Sequence, residues 1–220
     1  MVEATDVAEQ IQEAAEEQAA STERTRAVEQ EHFRTRAALT IAILAMLLAV
    51  TSLGGSNAGT EMLISEVKAT DQWAFFQAKN IRQTVNQLAA EELDAALLLH
   101  GDALGDDIRQ GIQRTSDRYK ANVERYESEP DPQEPANPLK GEGKKQLQAQ
   151  AQQWEAQRDH AEAQGQNFDY SQALFQIAIV LGSVAIVAMS RPVLRVALVV
   201  GAVATALMLN GFFLFFALPG

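Results

Sequence analysis

Residues 171–190 read SQALFQIAIVLGSVAIVAMS, and residues 196–218 read VALVVGAVATALMLNGFFLFFAL. Neither run contains a charged side chain, and each has the roughly 20 residues that a helix needs to cross the apolar core of a bilayer. The segment RPVLR separates them, and its arginines, Arg191 and Arg195, would be costly at bilayer depth. The sequence therefore predicts a hairpin of two membrane-spanning helices with both arginines at one surface.

The turn between these runs carries helix-start signals. Ser190 is expected to cap the following helix, and Pro192 stands where a first-turn proline is tolerated. We therefore place the last two spans at residues 171–190 and 193–218.

A third apolar run, AALTIAILAMLLAVTSL, covers residues 37–53 and predicts a span at 37–55. A cleaved signal peptide is the alternative, because small residues follow the run. However, the 36-residue acidic leader is too long and has the wrong charge for a signal peptide. The run is therefore expected to be the first of three uncleaved spans.

Arginine placement predicts the orientation of these spans. Arg34 and Arg36 adjoin the first span, while Arg191 and Arg195 lie between the last two. The opposite flanks carry no Lys or Arg, so the positive-inside rule places both pairs on the cytoplasmic side. Residues 54–170 are then external, in the periplasm, and the protein is a multi-pass protein of a bacterial inner membrane with a cytoplasmic N-terminus.

Composition excludes several other functions. The net charge of the 220-residue chain is −11, which argues against nucleic acid as a partner because phosphates require a basic surface. The chain has no cysteine, so disulfides, thiolate metal sites and cysteine nucleophiles are excluded. Residues 1–36, rich in Ala, Glu and Gln, are expected to form a solvated, partly helical cytoplasmic tail, with a partner-binding helix as the alternative.

The external segment, residues 56–170, is predicted to be almost entirely helical. Residues 60–99 contain no Gly or Pro, and 127–143 holds four of the six prolines, which predicts a loop at the tip of a hairpin. A helix with heptad spacing follows and can continue into the second span. An antiparallel hairpin or bundle is expected, and one face of the 60–99 helix is apolar at helical spacing: Val67, Ala74, Ala78, Ile81, Val85, Leu88, Ala95 and Leu99.

Two segments resemble a known family. ATDQWAFFQAKNIRQ at 69–83 follows the first span (TIAILAMLLAV), and AQRDHAEAQGQNFDYSQALFQIAIVLGSVAIV at 156–187 leads into the closing pair of spans. Both resemble the bacterial membrane proteins grouped as domain-of-unknown-function family 4337. That resemblance implies an inner-membrane location and a helical ectodomain, and it implies no established activity.

No motif predicts an enzyme, a metal site or a cofactor, so we expect none of these. His32, His100 and His160 lack metal-ligand spacing. The candidate packing or interaction residues lie in the external helices, where Trp73 and Phe76 are expected inside the bundle, with a self-association surface or a ligand pocket as alternatives. The complete set is Trp73, Phe76, Gln77, Lys79 and Trp154.

Small residues recur four apart in the spans, a spacing that lets helices approach closely. They are Ala38/Ala42 and Ala45/Ala49 in the first span, Ala178/Gly182 in the second, and Ala197/Gly201/Thr205 in the third. The sequence thus predicts a non-enzymatic structural or interaction protein whose partners are the lipid bilayer, a second copy of the chain and an unidentified protein. The alternative function is a sensor or accessory subunit of a membrane transport complex.

Overall fold

The computed structural model describes residues 2–216, and within residues 2–20 it describes only the backbone, except for the side chain of Gln18. This part of the chain is all-α, as predicted, with no β-strand. It contains helices α1 (Val2–His100), α2 (Asp106–Glu127), α3 (Lys144–Val187) and α4 (Arg191–Phe213).

Among the described helices, three are long and apolar enough to cross a membrane: α1, α3 and α4. Each contains one of the three apolar runs found in the sequence. The third run was predicted to extend to residue 218, but α4 ends at Phe213, and residues 217 and 218 lie outside the described residues.

Helices α1 and α3 continue past the ends of their apolar runs. The tail was predicted to be only partly helical, yet every described residue of it belongs to α1, because nothing between Val2 and the first run breaks a helix. Helix α3 begins at Lys144 and ends at Val187, which confirms that the last external helix continues into the second run.

The chain forms two compact units. The first combines the segment up to Asn57 with the segment from Ala163 onwards, and so contains all three apolar runs. The second unit is Ala58–Glu162, which lies within the segment predicted to be external.

Small residues on α3 and α4 receive large side chains of α1 in the first unit. A Cβ added to Gly182 would lie 2.9 Å from Cγ1 of Ile41, and one added to Gly201 would lie 2.6 Å from Cδ2 of Leu44. Small residues therefore permit close packing in the second and third runs. In the first run, α1 packs against the rest of the chain through Ala37, Leu44 and Thr51, while the small residues singled out from the sequence are exposed within the single chain: Ala38, Ala42, Ala45 and Ala49.

A buried amide network fixes the end of α4. The side-chain nitrogen of Asn210 donates to Oδ1 of Asn167 at 2.7 Å and to the carbonyl oxygen of Phe216 at 2.9 Å. The backbone N–H of Phe216 donates back to Oδ1 of Asn210 at 3.1 Å. Nearby, the Ser171 hydroxyl donates to the carbonyl of Ala204 at 2.8 Å. Buried polar groups are costly unless they are hydrogen-bonded, and these bonds satisfy them.

The turn between α3 and α4 has a Schellman geometry. The N–H of Ser190 donates to the carbonyl of Ala185 at 3.0 Å, and the N–H of Met189 donates to that of Ile186 at 3.4 Å. Met189 has a φ of 50°, in the region that favours glycine. Ser190 occupies the N-cap position of α4 but its side chain makes no capping bond, so that prediction was wrong. Pro192 lies in the first turn, as predicted.

Phe168 is the central aromatic contact of the first unit. Its buried ring makes an edge-to-face contact with Phe212, the ring centroids 4.9 Å apart. A Cβ added to Gly54 or to Gly211 would lie 2.8 Å from this ring. Both glycines are therefore needed to leave room for it.

The second unit is an antiparallel helical hairpin. Residues progressively earlier in α1 contact residues progressively later in the chain, first in α2 and then in α3. Helices α2 and α3 therefore lie end to end along α1. The chain reverses direction at residues 101–105, where a short 3₁₀ helix separates α1 from α2. The proline-rich 127–143 stretch was predicted to be the hairpin tip. That prediction was wrong, because this stretch lies between α2 and α3, midway along the returning arm.

We predict that Gly54→Ala destabilises the first unit by up to about 2 kcal/mol. Crowding of a packed core typically costs about 1–3 kcal/mol, and the better helix propensity of alanine offsets about 1 kcal/mol of it. Gly165→Ala is the matched control, because a Cβ there has no neighbour within 4 Å and should raise stability. Thermal unfolding of the detergent-solubilised chain measures both. Equal midpoints for the two variants would contradict the close packing of Phe168.

Candidate interaction surface

Trp73 and Phe76 lie on the inner face of α1, half-buried against α3. Their rings make an edge-to-face contact with centroids 5.5 Å apart. The indole Nε1 of Trp73 donates to Oε1 of Glu155 at 2.8 Å. Trp154 precedes Glu155 on α3, and the ammonium group of Lys68 lies 4.0 Å from the centroid of its ring. The aromatic residues chosen from the sequence therefore contribute to the contact between the two arms.

The two polar candidates beside them, Lys79 and Gln77, have different surroundings. Nζ of Lys79 is half-buried and lies 3.0 Å from a carboxylate oxygen of Glu129 and 3.7 Å from one of Glu142. Lys79 thus attaches α1 to the loop between α2 and α3. Gln77 is exposed on the side of α1 away from these contacts.

A polar cluster joins α1 to the neighbouring ends of α2 and α3. Nζ of Lys144 donates to Oε1 of Gln83 at 2.6 Å and lies 3.3 Å from a carboxylate oxygen of Glu127. Nε2 of Gln83 donates to the carbonyl of Val123 at 3.1 Å and to Glu127 at 3.2 Å. The bond from Gln83, with that from Lys144, lowers the pKa of Glu127 and keeps it ionised. We call Gln83, Glu127 and Lys144 the central clasp.

Near the tip a second polar group holds α2. Asp94 accepts a hydrogen bond from the Ser116 hydroxyl at 2.6 Å and lies 2.7 Å from Nζ of Lys120. The bond from Lys120, with that from Ser116, lowers the pKa of Asp94, and the same contact raises the pKa of Lys120. The charged groups of Asp94 and Lys120 are solvent-accessible, so their ion pair specifies the register of the arms more than it stabilises them, whereas Ser116 is buried.

The loop between α2 and α3 is folded rather than extended. The N–H of Glu142 donates to the carbonyl of Glu129 at 2.9 Å, and an isolated antiparallel bridge pairs Pro130 with Gly141. Gly141 has a φ of 114°, and a Cβ there would lie 2.3 Å from the carbonyl oxygen of Glu129. Glycine is therefore required at this position, and the loop has a defined shape.

The apolar stripe predicted on α1 faces away from the other arm. Helix α1 packs inward through small, buried residues such as Ala58, Ser65, Ala69 and Ala90. The stripe's large side chains stay exposed: Val67, Ile81, Val85 and Leu88 are 59–64% exposed, and Leu99 is 74% exposed. We call this exposed set, with Ile64, Ala74, Ala78 and Ala95, the outer stripe.

The outer stripe follows one heptad register, which had not been recognised from the sequence. Its d positions are Val67, Ala74, Ile81, Leu88 and Ala95, and its a positions are Ile64, Asp71, Ala78, Val85, Glu92 and Leu99. In the sequence the same spacing continues back through the first apolar run: Leu39, Ile43, Met46, Val50 and Leu53. A heptad sustained over this length is typical of a coiled coil. Counting residues at 3.5-residue spacing would have shown this.

Within the described residues, no group of three or more His, Asp or Glu side chains is placed to hold a metal ion. The outer stripe presents exposed apolar side chains.

The fold and surface define an all-α protein with three helices able to span a membrane and a helical hairpin between the first two. The model of the family described as Domain of unknown function (DUF4337) matches residues 33–214. The chain therefore belongs to this family, as its two motifs indicated. No curated protein and no solved structure matches the chain.

We predict that Phe76→Ala lowers the free energy of unfolding by roughly 2–3 kcal/mol, because a half-buried ring and its contact with Trp73 are lost. Phe75→Ala removes the same ring from the next residue, whose side chain is exposed, and should change stability by less than about 0.5 kcal/mol. Denaturant unfolding of the full chain in detergent, followed by tryptophan fluorescence, compares them. Equal losses would show that the inner and outer faces are wrongly assigned.

Proposed function

We propose that this chain is a non-enzymatic inner-membrane protein with three spans that displays its helical hairpin in the periplasm and acts by self-association. The observation that carries this proposal is the outer stripe. Single exposed apolar residues are ordinary on protein surfaces, but a contiguous apolar patch marks an interaction site.

The length and regularity of the outer stripe favour a helical partner. It extends from Ile64 to Leu99, nearly the whole length of α1 in the second unit, and keeps a heptad spacing throughout. Heptad spacing keeps a seam facing one partner only if the two helices supercoil about each other. A globular partner would not require this periodicity.

A second copy is the occupant we propose. Two copies inserted in one bilayer have the same orientation, so their α1 helices run parallel and present identical stripes of identical length. A two-fold axis along the membrane normal then pairs each stripe with itself in an isologous contact.

Two acidic residues limit the strength of this pairing. Asp71 and Glu92 stand at a positions, so a parallel pair brings each of them opposite its own copy. Like charges that face each other are destabilising, and charged a positions reduce coiled-coil stability while fixing register. We therefore propose a reversible dimer in place of a permanent one.

Two features of the first unit support the membrane arrangement. Large apolar side chains are exposed on all three runs, among them Leu39, Val180 and Val199, and lipid is the solvent that suits them. The arginines at 34, 36, 191 and 195 can all lie on the cytoplasmic side, as the positive-inside rule requires. Both ends of the hairpin segment then lie on the external side of the membrane.

The absence of cysteine from the sequence makes the proposed orientation directly testable. A single cysteine at exposed Ala136→Cys should react with a membrane-impermeant maleimide in cells whose outer membrane has been permeabilised. One at exposed Ala27→Cys should react only after the inner membrane is broken. Both variants labelled before lysis, or Ala136→Cys labelled only afterwards, would contradict the orientation.

We predict that the detergent-solubilised chain behaves as a dimer of its 24.0 kDa mass in a concentration-dependent equilibrium. Val85→Glu should dissociate it, because it places a charge in the seam. Thr84→Glu adds the same charge at a neighbouring exposed position outside the a and d positions and should change association little. Glu92→Leu should strengthen the dimer at least tenfold, because it removes a repulsive pair. Sedimentation with density-matched detergent measures all four proteins.

The outcomes separate the alternatives. A monomer at micromolar concentration, with Glu92→Leu unchanged, would contradict pairing through the outer stripe. Equal effects of Val85→Glu and Thr84→Glu would contradict the heptad register. Extra mass contributed by a different protein would instead favour the accessory subunit of a membrane complex.

A further inference from the structure

A cavity of about 500 Å³ lies in the first unit, between α1 and the beginning of α4. Its walls combine two kinds of residue. Its charged lining consists of Arg36 and Glu29 of α1 with Arg191 and Arg195 of α4, and His32 adds a further polar group. Its apolar lining consists of Phe33, Leu194 and Leu198.

The charged lining of the cavity is basic in an otherwise acidic protein. Three arginines face one glutamate, while the whole chain has a net charge of −11. Arg191 and Glu29 are 3.8 Å apart, and both side chains are about two-thirds exposed (69% and 66%), so their attraction is weak. Within the described residues, no carboxylate forms an ion pair with Arg36 or Arg195. The guanidinium donors therefore remain available to an anion.

A neighbouring cavity of about 190 Å³ extends the basic region. It shares Glu29, Phe33 and Arg191 with the first cavity and adds Arg26. Four arginines from two helices thus surround a space large enough for a substituted phosphate. Arginine is the side chain best suited to bind phosphate oxygens, because its planar fork donates two parallel hydrogen bonds.

The apolar lining of the cavity distinguishes a lipid from a free anion. Leu198 follows Arg191 by seven residues, about 10 Å along α4, and is part of the apolar run. A ligand that fills the cavity therefore needs a negative head at the arginines and an apolar portion beside Leu194 and Leu198. Inorganic phosphate would leave this apolar lining uncovered.

We propose that the cavity binds the headgroup of an anionic phospholipid, with its phosphate at Arg36, Arg191 and Arg195 and an acyl chain along Leu194 and Leu198. This proposal rests on the membrane arrangement proposed above, since it places the arginines at the headgroup level of the cytoplasmic leaflet. Basic pockets between spanning helices at that surface are suited to anionic headgroups.

The test compares lipids on the full chain in detergent by native mass spectrometry. Phosphatidylglycerol and phosphatidylcholine are added in equal amounts, and bound lipid per protein is counted. We expect at least a tenfold preference for phosphatidylglycerol, lost in the double variant R191Q/R195Q and weakened in R36Q, because each arginine supplies a charge-assisted bond. R34Q is the matched control: it removes the same charge from the same helix, but Arg34 does not line the cavity.

Each outcome decides the proposal. Equal binding of both lipids, or equal loss in R34Q and R191Q/R195Q, would overturn it by showing that general surface charge attracts the lipid. Displacement of phosphatidylglycerol by millimolar inorganic phosphate would overturn the lipid assignment in favour of a free anion. Flotation of the wild-type chain with phosphatidylcholine vesicles tests membrane insertion separately, so failure of the membrane arrangement and failure of the lipid site are distinguishable.

Discussion

A hairpin that is two helices thick can bury only one face of each helix, and this constraint governs the second unit. Helix α1 has α2 and then α3 along a single side, so half of its surface has no intrachain partner. Small and polar residues such as Ala69, Ser65 and Gln83 occupy the covered side. The larger aliphatic side chains lie on the opposite side, which reverses the usual relation between burial and hydrophobicity. The association between copies proposed above would restore the usual relation.

Much of the architecture could be predicted because it depends on composition over long windows. Charge-free runs of about 20 residues identify spans whatever their neighbours are, and the lack of Gly and Pro in 60–99 and of Pro in 144–187 predicts continuous helices. The point at which the chain reverses direction in the hairpin was harder to predict. Four prolines correctly predict a loop at 127–143, yet they do not show where the chain reverses. That depends on which stretch of α1 the following helix contacts.

The contacts that define the candidate surface were only partly predictable, because they join residues distant in sequence. Asn210 is a polar residue within an apolar run, but its partner Asn167 lies 43 residues away on another helix, so no local pattern shows the pair. The requirement for Gly54 and Gly211 follows from the ring of Phe168, which no local pattern shows. Trp73, Phe76 and Lys79 were chosen by residue type and do contact the other arm, whereas Gln77, chosen with them, lies outside.

The break between α2 and α3 has a mechanical consequence for the hairpin. Because the returning arm is two helices joined by a folded loop, α2 can separate from α1 while α3 stays in place. The polar contacts that oppose this include those of Asp94 with Ser116 and Lys120 and that of Asn86 with Asn122, whereas α3 is held by the hydrogen bond from Trp73 to Glu155. Local opening follows the least stable cooperative segment. Amide protons of α2 will therefore exchange sooner than those of residues 147–162, and a pull applied at the tip will peel the distal half of the hairpin as far as the central clasp.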